Sequence, residues 1–329
     1  MRRLVAIATS LLVLTGGPTG QQALGQTAPA APSTGAPVAD DSSVVTELAP
    51  VQVNLPGPAL WRVSRGDSQV IILAFIRPLP HGLDWPKGRM LRALDGAHAL
   101  LVPPEPTLGV LDTVGLLLNL GRLQNPQGKT LGQVLSPSDF QTYQKAVARS
   151  QLPSKHYDRY KPVVAGAALI GDIRRAAGLS SEKPVSTLQR MARELHVRIQ
   201  PMGRLKAAPL LKIVLSLDDA HGLSCFREEM DEIAWETTEA RAAAEAWGRG
   251  DMARLRLLKS HIGVTQCLED LPSIQALTER GTADAVTAID EALSRPGKTV
   301  ALVDLTYLDR TNGLLDRLKA RGATISVPE

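Results

Sequence analysis

Thr299-Val300-Ala301-Leu302-Val303-Asp304-Leu305, followed by Gly313 to Ala320 and then Thr324 to Val327, closes the chain. The first run is short, apolar and rich in Val, which predicts a buried strand. The second reads as a helix and the third as another strand. Near residue 60, Ala59 to Val63 and Gln69 to Phe75 are two β-rich runs around Ser64-Arg65-Gly66-Asp67, where Gly66 and Asp67 suit a hairpin turn. The Arg65-Gly66-Asp67 triplet is read as that turn and nothing more. Between the two ends the pattern is helical. Met90, Leu91, Leu94 and Ala97 recur at helical spacing, as do Leu108, Leu111, Val114, Leu117 and Leu118. Ser136-Pro137 reads as a cap and first helical residue ahead of Phe140, Tyr143 and Val147. Pro162 to Ala177, Ser186 to Leu195, Ser224 to Trp247 and Pro272 to Leu293 follow as predicted helices. The expectation is an α/β fold: a mixed central sheet with an N-terminal hairpin, many helices and a C-terminal strand–helix–strand. No internal repeat interrupts it.

The 329 residues carry 37 Lys and Arg against 33 Asp and Glu, with 44 % hydrophobic residues. That composition excludes a wholly disordered chain and a collagen-like repeat. Two cysteines cannot staple a scaffold of this length, so a hydrophobic core must carry stability. Four Trp, four Tyr and three Phe are too few for a base-stacking surface, so no nucleic-acid partner is expected.

Met1-Arg2-Arg3 followed by the apolar run Leu4 to Leu14 has the form of a signal peptide, and the run is too short to span a bilayer. Ala23-Leu24-Gly25 suits cleavage. Residues 1–25 are therefore expected to leave as a signal peptide. Residues 26–55, rich in Ala, Pro and Ser, read as a disordered linker. Residues 56–329 are expected to fold as a single domain in the periplasm or outside the cell, with no membrane span after cleavage.

Charge is uneven along that domain. Lys145 to Lys212 holds 14 basic residues against 4 acidic, whereas Asp218 to Glu245 holds 9 acidic against 2 basic. The plainer reading is a set of solvated helix faces that partly neutralise one another. Gly128-Lys129-Thr130 and Gly297-Lys298-Thr299 lack the earlier glycine a phosphate loop requires, since Leu123 and Ala292 stand there. None of the six histidines makes an H-E-x-x-H pattern. His221 and Cys225, beside Asp218 and Asp219, could share a helix face but fall short of a zinc ligand set. Cys225 and Cys267 are the only thiols, and in an oxidising compartment they are expected to pair, closing a loop of about 43 residues.

Ala59-Leu60-Trp61-Arg62-Val63-Ser64-Arg65-Gly66-Asp67, with Pro78-Leu79-Pro80-His81-Gly82-Leu83-Asp84-Trp85 further on, resembles the opening of the TraB/GumN family. Asn312-Gly313-Leu314-Leu315-Asp316-Arg317-Leu318-Lys319-Ala320-Arg321-Gly322 resembles its ending. Tyr160 to Leu179 is similar to the family's central helix. Cys225, Trp247 to Asp251 and Cys267 are similar to a helical segment of its secreted members. The resemblance implies a mixed α/β domain like that of the Tiki proteases, with metal-dependent activity. It also implies a Gly-x-x-His on the second strand, a Glu after the next helix and a second Gly-x-x-His near the C-terminus. These fall on Ala74-Phe75-Ile76-Arg77, near Pro103 with Glu105 two residues on, and on Asp304-Leu305-Thr306-Tyr307. Arg77 cannot ligate a metal and Tyr307 is a poor substitute for imidazole. The expectation is therefore a protein without catalytic residues, metal or cofactor, in which Arg77, Glu105, Asp304 and Tyr307 mark the former site. Its expected partner is a peptide, a glycan or an envelope protein. The alternative is a metal-dependent hydrolase with a relocated site, using Glu105, Asp304 and either His81 or His98.

Overall fold

A computed structural model describes residues 57–328, except 108, 110, 111, 113, 114, 116, 117, 259–265 and 309. The expected signal peptide and linker lie outside the described residues. So do Leu108, Leu111, Val114 and Leu117 of one expected helix, and His261. The strands are β1 (Leu60–Arg65), β2 (Ser68–Phe75), β3 (Leu79–Pro80), β4 (Ala99–Val102), β5 (Pro106–Thr107), β6 (Leu179–Ser180), β7 (Arg198–Pro201), β8 (Leu205–Lys206), β9 (Gly297–Asp304) and β10 (Thr324–Ser326). The helices are α1 (Gly88–Leu94), α2 (Leu131–Val134), α3 (Pro137–Val147), α4 (Pro162–Ala176), α5 (Val185–Glu194) and α6 (Ala207–Ser216). They continue with α7 (Asp219–Thr238), α8 (Ala240–Arg249), α9 (Met252–Leu258), α10 (Pro272–Ala292), α11 (Leu305–Leu308) and α12 (Leu314–Ala320).

Six strands form the mixed central sheet in the order β10-β1-β2-β9-β4-β7. The β1–β2 hairpin pairs Arg65 with Ser68 across the two-residue turn Gly66-Asp67. Gly66 takes φ +54°, a conformation open to glycine at no steric cost. From β2 to β7 every neighbour is parallel. Ile72 to Phe75, Ala99 to Val102 and Thr299 to Val303 are buried at every position. Successive side chains point to opposite faces of a sheet, so continuous burial means both faces are covered. Helices α1, α5 and α10 pack on these strands, and α12 on β10.

The mixed α/β architecture and the C-terminal strand–helix–strand match the expectation. Two strands of the central sheet do not follow from the pattern. Ala99–Val102 is central in the sheet, and Arg198–Pro201 forms its edge beside it. The run Ser224 to Trp247 is also not one helix. It divides at Glu239 (φ −109°, ψ −24°) into α7 and α8, and α7 begins earlier, where Asp218 Oδ1 accepts the His221 N–H at 2.8 Å. Helix α8 ends on Gly250 at φ +76°, where a β-carbon would collide with the Gly57 carbonyl next to β1.

A second layer gathers α2, α3, α4 and α7 around Tyr143, Tyr157, Leu169, Phe226 and Met230. Ser136 caps α3 as expected, accepting from the Asp139 N–H at 3.1 Å. Charges of opposite sign meet between α4 and α7. Arg174 Nε donates to both oxygens of Glu236 at 2.8 and 3.0 Å, and Arg174 Nη2 lies 3.5 Å from Glu232. Arg227 likewise reaches Asp139 at 2.9 Å. The basic and acidic stretches thus partly neutralise each other. One acid is different. Glu229 is fully buried, and neither carboxyl oxygen has a hydrogen-bond partner among the described residues. Its carboxyl lies against Gly166 of α4, where no β-carbon would fit. Burial pushes this carboxyl well above its ordinary range, and the charge of Glu228 adds to the push.

Candidate functional site

Parallel pairing sets Phe75 opposite Asp304 at the C-terminal ends of β2 and β9. The residues that follow each strand, Ile76-Arg77 and Leu305-Thr306-Tyr307, therefore emerge side by side. In parallel sheets that edge is where ligands bind. Arg77 Nη2 and Nε lie 3.1 and 3.3 Å from Asp304 Oδ2. The pair is mostly buried, with side-chain exposures of 20 % and 13 %. The Arg77 guanidinium also lies over the Phe75 ring, 5.2 Å from its centroid. Asp304 Oδ1 accepts from Thr306 N–H at 3.0 Å and from its hydroxyl at 2.5 Å, fixing the start of α11. Arg77 Nη1 makes no hydrogen bond among the described residues and remains available as a donor.

Tyr307 is 44 % exposed. Burial raises its phenol above the usual range; Asp304 and Glu269 add to the shift, and Arg77 and Arg310 oppose it. Arg310 Nη2 pairs with Glu269 Oε1 at 2.8 Å. Glu269 follows Cys267, which is joined to Cys225 in a disulfide with Cα atoms 5.0 Å apart. That bridge clamps α7 to the turn at Gln266–Leu268, as expected from the two thiols. The Cys267 N–H also donates to Glu228 Oε2 at 2.7 Å. Behind the first strand end, Trp247 Nε1 donates to the Ala74 carbonyl at 2.8 Å and stacks edge-on with Trp85.

Arg77, Asp304 and Tyr307 are thus brought together, and Glu105 is not part of their contacts. It is exposed between β4 and β5. His81 is also exposed, with its N–H donated to the Gly178 carbonyl at 2.8 Å. His98 lies just before β4, and its Nε2 is 3.1 Å from the Pro296 carbonyl just before β9. It therefore sits at the opposite end of the sheet from Asp304 and cannot join a site there. The His221–Cys225 spacing is also consumed by structure. Cys225 is in the disulfide, and His221 Nδ1 lies 2.8 Å from its capping Asp218. Phe75 and Thr306, which contact the pair, and Glu269 and Arg310, which act on Tyr307, were not singled out in the sequence as site residues. Only the Asp304-x-Thr306 spacing, typical of a local side-chain turn, could have signalled one of them.

A metal-binding centre implied by the family resemblance does not fit these residues. The guanidinium of Arg77 is a permanent cation already paired with the nearest carboxylate. Among the described residues no three His, Cys, Asp or Glu side chains are grouped to hold an ion. The fold and the Arg77–Asp304 pair define a mixed α/β protein with a polar, ion-paired site at the ends of two parallel strands. The chain belongs to the TraB/PrgY/gumN family, whose model matches residues 59–327. No match was found among curated proteins or among solved structures.

Proposed function

We propose that this protein is a non-catalytic binding member of the family, exported to the periplasm or beyond, with the metal-ligand motifs lost. Its cleft at the ends of β2 and β9 receives an anionic group of a peptide, glycan or envelope protein. The observation that carries this reading is Arg77: anchored by Asp304, backed by Phe75, and with Nη1 still free to donate. A guanidinium held in place on one side is pre-organised to bind a carboxylate or phosphate on the other. Among the described residues no helix is long and apolar enough to cross a membrane, which is compatible with export as a free protein.

Affinity capture from an envelope extract tests the reading, with wild type compared against Arg77→Ala. A partner retained by wild type and lost from the variant is the expected result. Equal capture by both removes Arg77 from binding. Elemental analysis of the purified protein tests the loss of metal chemistry. Stoichiometric zinc or manganese, lost on mutating His81 or Glu105, would establish the hydrolase alternative instead.

A further inference from the structure

We propose that the group bound at Arg77 is a single carboxylate, and that the Tyr307 hydroxyl is its second donor. This rests on the binding role given to Arg77 above and names the class of ligand that fits it.

The geometry of Arg77 selects the group. A guanidinium carries five N–H donors in one plane. Asp304 Oδ2 takes the edge formed by Nε and Nη2, at 3.3 and 3.1 Å. The edge left over carries one proton of Nη1 and the second proton of Nη2, side by side. Two parallel N–H groups match the two oxygens of a carboxylate. The Phe75 ring, with its centroid 5.2 Å from the guanidinium carbon, covers one face, so a ligand meets the group along its plane. That edge is open. Among the described residues, the unbonded side-chain nitrogens sealed from solvent are Arg65 Nε and Asn125 Nδ2, and Arg77 Nη1 is not one of them.

Tyr307 adds a donor of a different kind. It lies three residues beyond Asp304, in the short helix α11 whose start Asp304 fixes through Thr306. Its hydroxyl makes no hydrogen bond among the described residues, and the side chain is half-exposed. Burial and the charge of Asp304 raise the phenol above its usual range. At neutral pH it keeps its proton and meets an anion as a donor.

Charge then decides between anions. Arg77 is matched by Asp304 and Arg310 by Glu269, and all four charges act on Tyr307. These surroundings are neutral before a ligand arrives. One added negative charge is met by the open edge of Arg77 and by the phenol. A phosphate dianion brings a second charge for which no unpaired cation stands among these groups, and sets it against Asp304 and Glu269.

Fluorine NMR titration of the full chain at neutral pH tests the proposal, with fluoroacetate as the carboxylate and monofluorophosphate as the dianion. Fluoroacetate is expected to bind more tightly than monofluorophosphate. Arg77→Lys keeps a cation beside Asp304 but removes the paired donors, and is expected to weaken fluoroacetate by about tenfold or more. Tyr307→Phe, at an exposed position, is expected to weaken it by about tenfold through loss of a charge-assisted bond, and tests the site even if the Arg77 variant does not fold. N-Trifluoroacetylglycine and a fluorinated glucuronate distinguish a peptide terminus from a sugar acid as the source of the carboxylate, the tighter Arg77-dependent ligand identifying it. Monofluorophosphate binding as tightly as fluoroacetate, with both lost in Arg77→Lys, would overturn the carboxylate and leave the binding role of Arg77 standing. Unchanged fluoroacetate affinity in Tyr307→Phe would overturn the second donor. Arg77-dependent binding of neither probe would overturn this inference and the binding role together.

Discussion

Replacing Glu229 by Gln isolates the cost of one buried, unpartnered carboxyl. The folded state holds this acid far above its unfolded value of 4.5, because burial opposes ionisation and Glu228 is close by. Below pH 4.5 the acid is protonated in both states, and folding is unaffected by its titration. Above it the unfolded chain ionises while the folded one keeps its proton, so stability is lost as pH rises toward the folded value. The slope is at most about 1.4 kcal/mol per pH unit for a single group. From pH 5 to pH 7 wild type therefore loses up to about 2.7 kcal/mol that Glu229→Gln retains, a large share of ordinary domain stability. Asp139, Glu279 and Asp290 act in the opposite sense. Arginine hydrogen bonds hold them low, so their contribution is present above the ordinary carboxylate range and lost as pH falls. They are common to both proteins and cancel in the difference. Urea unfolding followed by Trp fluorescence at pH 5, 6 and 7 gives that difference directly. Wild type and variant should be similar at pH 5 and diverge in favour of Gln by pH 7. Parallel profiles would refute the reasoning, and a wild type that gains on the variant as pH rises would mean an ionised, partnered Glu229.

Two further outcomes follow from the same helices. Arg174→Ala removes the guanidinium that the buried Glu236 accepts from and is expected to cost about 3–5 kcal/mol, measured as a fall in the urea midpoint at neutral pH. Replacing Cys225 and Cys267 together by Ser opens a loop with a sequence separation of 42, for a loss of about 4 kcal/mol in the chain-entropy model; equal stability of the oxidised and double-variant proteins would contradict it.

The parts of the fold legible in the sequence are those whose pattern is local. The β1–β2 hairpin is announced by Gly66, the start of α3 by Ser136 and Pro137, and β9 by an apolar run ending at Asp304. What was lost is what tertiary context decides. Ala99–Val102 has four apolar residues and no alternation, because it lies between two parallel neighbours and both of its faces are covered. Asp95-Gly96, with Gly96 at φ +66°, ends the helix ahead of it, but the helical spacing runs on to Ala97 and so short an apolar run is identified as a strand only by the sheet. Arg198–Pro201 is polar and partly exposed, and its pairing to β4 is all that identifies it. At the site, Arg77, Asp304 and Tyr307 were legible as positions, since each closes or follows a readable strand. Their mutual contact was not, because it depends on Phe75 pairing with Asp304 across residues far apart in the chain. Glu105 failed for the converse reason: nearness in sequence to an expected position did not bring it to the pair.

Two of the departures from the family pattern, at 77 and 304, make physical sense as one change. The resemblance expects His at 77 and Gly at 304, and this chain has Arg and Asp. Either replacement alone would leave a largely buried charge at the strand ends without a counter-ion, a costly arrangement. Together they form a hydrogen-bonded pair at 3.1 Å, with the second carboxylate oxygen held by Thr306. Reverting Arg77 alone to His would therefore not recreate a metal ligand set. It would set an imidazole against a carboxylate already committed to its own turn, with Tyr307, not His, at the second motif position. The site is closed around an ion pair rather than left vacant by a missing ligand, and this gives Arg77 the fixed orientation that a binding role requires.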